Sequence, residues 1–147
     1  DWSSDVCSSD LGWGHLALRS VLRDIYDHNG GTVSQSQFGW GLGVSGRIST
    51  WGKDDIIFQA NGGDGVGRYL SNFTSLVPEA VVNSATGQMK TIAAWGGLLG
   101  YQHWWTGSLR STAVASYDRQ ENPSGIFTPA ALAAQGDRWW TSEINLI

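Results

Sequence analysis

Gln37-Phe38-Gly39-Trp40-Gly41-Leu42-Gly43-Val44-Ser45-Gly46-Arg47-Ile48-Ser49-Thr50-Trp51 changes character at nearly every step. Phe38, Trp40, Leu42, Val44 and Ile48 share one phase; Gln37, Gly39, Gly41, Gly43, Ser45, Arg47 and Ser49 share the other. A period of two belongs to a β-strand, whose side chains alternate between faces. A typical strand of a soluble sheet has about 5–6 residues, and this run is far longer. One face is apolar and begins in aromatic residues, while the other carries small polar groups and an arginine. A strand separating hydrocarbon from water has this composition.

Outward from this stretch the same pattern recurs. Strands are expected at about His15–Ile25, Gln37–Trp51, Asp55–Asn61, Gln88–His103, Ser108–Arg119 and Asp137–Ile147. A glycine-rich excursion, 62–88, separates the third from the fourth, with a hairpin inside it around 84–87. The connections after strands one to five alternate long and short. Short turns at 52–54 and 104–107 then mark a periplasmic end, and segments 26–36, 62–87 and 120–136 an external one. A short helical turn at Ala130–Ala134 fits the last of these. The fold class expected is all-β: an antiparallel, up-and-down fragment of a transmembrane β-barrel. Six strands do not close such a barrel, so an open, curved sheet is expected.

Composition supports this and removes other classes. Twenty glycines and nine tryptophans in 147 residues are an unusual mixture for a soluble core. No run approaches the roughly 20 apolar residues of a membrane helix. No basic block of the kind that binds nucleic acid is present. Two aromatic belts are expected where rings meet lipid headgroups. Trp13, Trp51, Trp104 and Trp105 fall at the periplasmic end; Trp40 and Trp140, with Tyr26, Phe38 and Trp139, fall at the other.

Residues 1–10 ignore the alternation. Asp1-Trp2-Ser3-Ser4-Asp5-Val6-Cys7-Ser8-Ser9-Asp10 back-translates as GAC TGG AGT TCA GAC GTG TGC TCT TCC GAT, and the next bases CT fit Leu11. That string reads as a sequencing-library adapter in frame, so 1–10 is expected to be an artefact, detached and disordered. The other reading is a polar tail. The only cysteine, Cys7, lies here, so no disulfide or thiol chemistry is argued. Three of the thirteen acids lie here too; without them ten acids face nine bases, a net charge of −1 rather than −4. Residues 11–147 are then expected to be one partial barrel domain, an internal piece of a longer chain.

The inferred lumen phase carries Arg19, Arg23, Arg47, Lys90 and Arg110 against Asp118 and Glu143, with Gln59 and Asn61 between them. An arginine on the lipid face costs about 2–4 kcal/mol at the midplane, which assigns the arginine phase inward. Basic rings favour anions. An alternative for each arginine is a structural pair with a wall carboxylate. No metal cluster, cofactor loop or catalytic constellation is visible: Gly62–Gly67 lacks the GxGxxG order, and His15, His28 and His103 are far apart. No enzymatic step is expected.

Two segments carry a family resemblance. Gly46-Arg47-Ile48-Ser49-Thr50-Trp51-Gly52-Lys53-Asp54-Asp55-Ile56-Ile57-Phe58-Gln59-Ala60-Asn61, with Gly63–Tyr69, is one. Trp95-Gly96-Gly97-Leu98-Leu99-Gly100-Tyr101-Gln102-His103-Trp104-Trp105, with Leu109–Ala113, is the other. Both resemble the DcaP-like porins of Gram-negative bacteria, in the C-terminal half of that family's barrel. The resemblance implies a homotrimeric outer-membrane porin, embedded in lipid, that passes small hydrophilic anions such as dicarboxylates. Ile57 departs from the pattern, standing where a polar or basic residue is expected. The competing readings are a soluble secreted β-sandwich that binds a ligand, and an outer-membrane barrel with an enzymatic or adhesive role.

Overall fold

A computed structural model describes residues 2–29, 32–70, 79–83, 86–123 and 137–147. Nine strands form among the described residues: β1 (Trp2–Leu11), β2 (Gly14–Asn29), β3 (Thr32–Ser49), β4 (Asp55–Asp64), β5 (Ala80–Val82), β6 (Met89–Thr91), β7 (Ala93–Trp104), β8 (Arg110–Glu121) and β9 (Arg138–Leu146). One 3₁₀ turn covers Gly67–Tyr69, and the described residues hold no α-helix. Seven strands make one antiparallel sheet in the order β1-β2-β3-β4-β7-β8-β9; β5 and β6 make a separate hairpin. The chain is therefore all-β, an up-and-down meander that stays open: β1 and β9 are its two edges.

Four expectations change. Residues 2–11 are not detached; they pair with β2 from Trp2 opposite Arg23 to Leu11 opposite Gly14. The physical reason is that the exposed edge of β2 presents a row of N–H and C=O groups, and any extended segment folded back by a tight turn satisfies them. Backbone pairing of this kind does not depend on where the sequence came from.

The connection expected to be long at 26–36 is short. β2 runs on to Asn29 and β3 begins at Thr32, with one register shift at Asp27/His28. The pairing runs on through His28 opposite Val33 and Asn29 opposite Thr32, because backbone N–H and C=O groups pair whatever side chains they carry.

The strand expected over Gln88–His103 breaks at Ile92. Its N–H donates to the Glu79 carbonyl at 3.0 Å and its carbonyl accepts from Gly65 at 3.0 Å. Both of its backbone groups thus leave the main sheet, and Ile92 is buried. The hairpin expected in the excursion is β5–β6, with Val81 opposite Lys90. Lys90 therefore belongs to this hairpin and not to the wall.

The fourth change concerns Trp104. It pairs with Arg110 in register, in phase with Gln102 and Gly100. It therefore stands on the polar face, outside the belt assigned to it. The segment Ala130–Ala134 lies outside the described residues.

The two faces are sharply different. In one apolar row Leu16, Gly46, Phe58, Leu99 and Ala115 are cross-strand neighbours; in the next Leu18, Val44, Ala60, Gly97, Tyr117 and Trp140 are. Gly46 is required where it stands: a Cβ there would lie 2.7 Å from the Phe58 ring and from the His15 carbonyl oxygen. Nothing of the described chain covers this side. Leu42 is 62% exposed, Leu99 60% and Ile144 80%. The small core lies on the opposite side, where Val66, Leu70, Met89, Ile92 and Ala94 are buried. Among the described residues no helix is long and apolar enough to cross a membrane, a fact that says nothing of strands.

Candidate functional site

The polar face has its own rows. Arg19, Gly43, Asn61, Gly96 and Asp118 are cross-strand neighbours on β2, β3, β4, β7 and β8. Large and small residues alternate across this row. A Cβ on Gly43 would collide with the Asn61 amide oxygen, and one on Gly96 with the Asp118 carboxylate. Glycine lets each long polar side chain lie over the strand beside it. The next row toward the excursion is Val21, Gly41, Gly63, Ala94 and Gln120, mostly small.

That row is a seat. Residues 65–70 leave β4 and fold back across the polar face. Gly65 makes the turn at φ +71°, a left-handed conformation natural to glycine. Val66 packs over Gly41, where an added Cβ would lie 3.0 Å from the valine methyl. Gly65 itself lies against Gly39 and Ile25. The alternating glycines of β3 thus serve two ends: they receive this strap and they make room for Asn61.

Between the strap and the wall lies a cleft of about 540 Å³. Its wall carries Arg19, Gln59 and Asn61; its roof is Val66, Tyr69 and Leu70. The residues expected along the lumen separate here by their partners. Arg23 Nη1 donates to Glu79 Oε1 at 2.5 Å, and Arg68 Nε reaches the same oxygen at 2.6 Å. Arg47 pairs with Asp55 at 2.8 Å, and the Ser49 hydroxyl donates to the other Asp55 oxygen at 3.2 Å. Arg110 stands 5.3 Å from the Trp104 ring centre, and Lys53 5.6 Å from it. Glu143 accepts from the Asn145 amide at 2.8 Å and is exposed. Among the described residues Arg19 alone of the sheet arginines on this face has neither a carboxylate nor a ring partner. An unpaired guanidinium beside two side-chain amides is suited to a carboxylate, which it grips with two parallel hydrogen bonds. Ile57 stands on the polar face opposite Arg47 and Gly100, as the alternation requires.

The aromatic residues mark two levels. At the short-turn end, Trp13, Trp51 and Trp105 are exposed. At the other end Trp40 is exposed, and Trp95, Tyr117 and Trp140 form a ladder across β7, β8 and β9, with ring centres 5.4 Å and 4.3 Å apart. The side chain of Trp139 lies outside the described residues.

One cluster escapes sequence reasoning. Asp54, in the β3–β4 turn, accepts from the Tyr101 hydroxyl at 2.6 Å and the Trp104 N–H at 2.9 Å, and meets His103 Nδ1 at 2.6 Å. It binds the end of β7 to the turn beside it. The Tyr101 hydroxyl, the Trp104 amide and the His103 ring together lower its carboxyl from the ordinary 3.8 to about 2. A depressed acid stabilises the fold at pH values above its unfolded value, and the contribution fades as pH falls toward about 2. Asp54→Ala is expected to lower the thermal midpoint at pH 7 and to flatten the acid limb between those values. Circular-dichroism melts across that range check both; equal midpoints and equal slopes would remove the cluster's role.

Glu79, Arg68, Tyr69, Asp54 and His103 had no expected place at the site. The one signal available was the alternate glycines Gly39, Gly41 and Gly43 of β3, which mark close approach by something packed above. Comparison of the chain with protein-family models, with curated proteins and with solved structures finds no match.

Proposed function

We propose that this sheet is a wall segment of an outer-membrane β-barrel porin of a Gram-negative bacterium, a passive channel for small hydrophilic anions of the dicarboxylate kind. The observation that carries the reading is the pair of faces: a broad apolar face that no described residue covers, backed by a polar face with an inward-folded strap and an arginine that has no carboxylate or ring partner among the described residues. An exposed apolar surface of this extent marks contact with lipid or another protein. Its height favours lipid. Phe38 to Ile48, eleven residues in the apolar phase and its alternates, rise about 34 Å along the strand, or about 24 Å at a 45° tilt, against a lipid-facing band of about 25 Å. Charges on the apolar phase fall toward the excursion end: Asp24 in the Phe38 row, Asp64 and Glu121 in the Trp40 row, and Asp5, Arg119 and Arg138 in the Leu42 row, whereas the Val44, Gly46 and Ile48 rows carry none.

Lipid does not tolerate unpaired strand edges, so an open sheet of this kind requires partners at its edges within a larger barrel. The family resemblance adds a homotrimer. Selectivity follows from width and lumen charge, with no chemical step. The test is a planar bilayer holding the full-length protein, with reversal potentials measured in a salt gradient. Anion preference is the expected result. Cation preference would overturn the lumen argument, and absence of channels would overturn the pore.

A further inference from the structure

We infer that Glu79 is a latch that fixes the strap on the wall, and that this latch sets the largest solute able to pass the Arg19 cleft. The inference rests on the pore reading and adds to it the device that determines size selection.

Glu79 joins three elements at one point. Its Oε1 takes Arg23 Nη1 from β2 at 2.5 Å and Arg68 Nε from the strap at 2.6 Å. Its backbone carbonyl takes the Ile92 N–H from the break between β6 and β7. The side chains of Glu79 and Arg23 are 10% and 14% exposed, whereas that of Arg68 is 61% exposed. The carboxylate therefore lies almost out of water, balanced by two guanidinium groups. Without it Arg23 keeps a poorly hydrated charge with no counter-charge, and Arg68 loses its tether.

The rest of the strap is held mainly by contact. Val66 and Leu70 are buried, Val66 against Gly41 of the wall, and among the described residues Glu79 is the only carboxylate that bridges strap and sheet. The strap is also the roof of the cleft, through Val66, Tyr69 and Leu70. Freeing Arg68 allows that roof to lift without altering Arg19, Gln59 or Asn61 below it. Width at the cleft is then governed by an ion triad that does not itself line it.

Two variants of the full-length protein separate width from charge. Glu79→Gln removes a negative charge; Arg68→Gln, at an exposed side chain, removes a positive one. On charge alone their reversal potentials move in opposite directions, toward anions for Glu79→Gln and away from them for Arg68→Gln. Both cut the latch, so both are expected to admit a neutral oligosaccharide that the unaltered channel excludes in proteoliposome swelling. Arg68→Gln leaves the wall charge Arg23 paired, so it tests the latch even if Glu79→Gln misfolds, which strand content by circular dichroism reports. If Arg68→Gln folds, keeps its channel and still excludes the oligosaccharide, the latch is overturned while the pore reading stands. If the unaltered protein forms no channel, both fall.

Discussion

Leu42→Arg is expected to prevent stable assembly of the protein in a bilayer, while Ser45→Arg, three residues on and on the opposite face, leaves assembly intact. Leu42 lies near the middle of the apolar phase of β3 and is 62% exposed. In water a charge at so open a position is close to neutral, within about 0.5 kcal/mol. In hydrocarbon the same charge costs about 2–4 kcal/mol at mid-depth. The two environments thus predict opposite outcomes from one substitution. Ser45 faces the polar side between Ala17 and Gln59, where an arginine meets water in either case. The measurement is the fraction of protein recovered in the membrane and its unfolding midpoint in lipid vesicles. Equal behaviour of the two variants would show that lipid does not touch the apolar face. The soluble β-sandwich would then be the better reading.

Arg19→Glu is expected to reduce anion preference by at least about tenfold. A unit charge at about 4 Å in a partly hydrated pore is worth about 1–4 kcal/mol, and replacing Arg by Glu reverses its sign. Arg23 and Arg47 should matter much less. Each already sits beside a carboxylate, Glu79 or Asp55, so its field is largely cancelled before a solute arrives. The reversal potential of Arg19→Glu, set beside that of Arg47→Gln, checks the ranking. A larger shift for Arg47→Gln would place the selective charge elsewhere in the wall.

The strand positions and the two faces were legible in the residues because both are local. Side chains alternate along any extended backbone, so the phase of Leu42 against Ser45 follows from the chain alone. The arginine phase was legible for the same reason. Height along the strand suggests a belt position for Trp104, whereas parity with Gln102 puts it on the other face. Asp27 to Gly31 is turn-rich and suggests a loop over 26–36, yet strand pairing extends to Asn29 opposite Thr32.

By itself, then, the sequence determined an all-β chain, its long alternating strands and which side of each is greasy. The tertiary structure decided which charges remain available. Arg23 and Glu79 lie 56 residues apart, and only the tertiary fold brings them together. It likewise decided that the glycines of β3 are a seat, that Lys90 leaves the wall, and that residues 2–11 pair along β2. Alternation is a property of one strand, whereas ion pairing and close approach are properties of two segments in space, and no local pattern specifies the second partner.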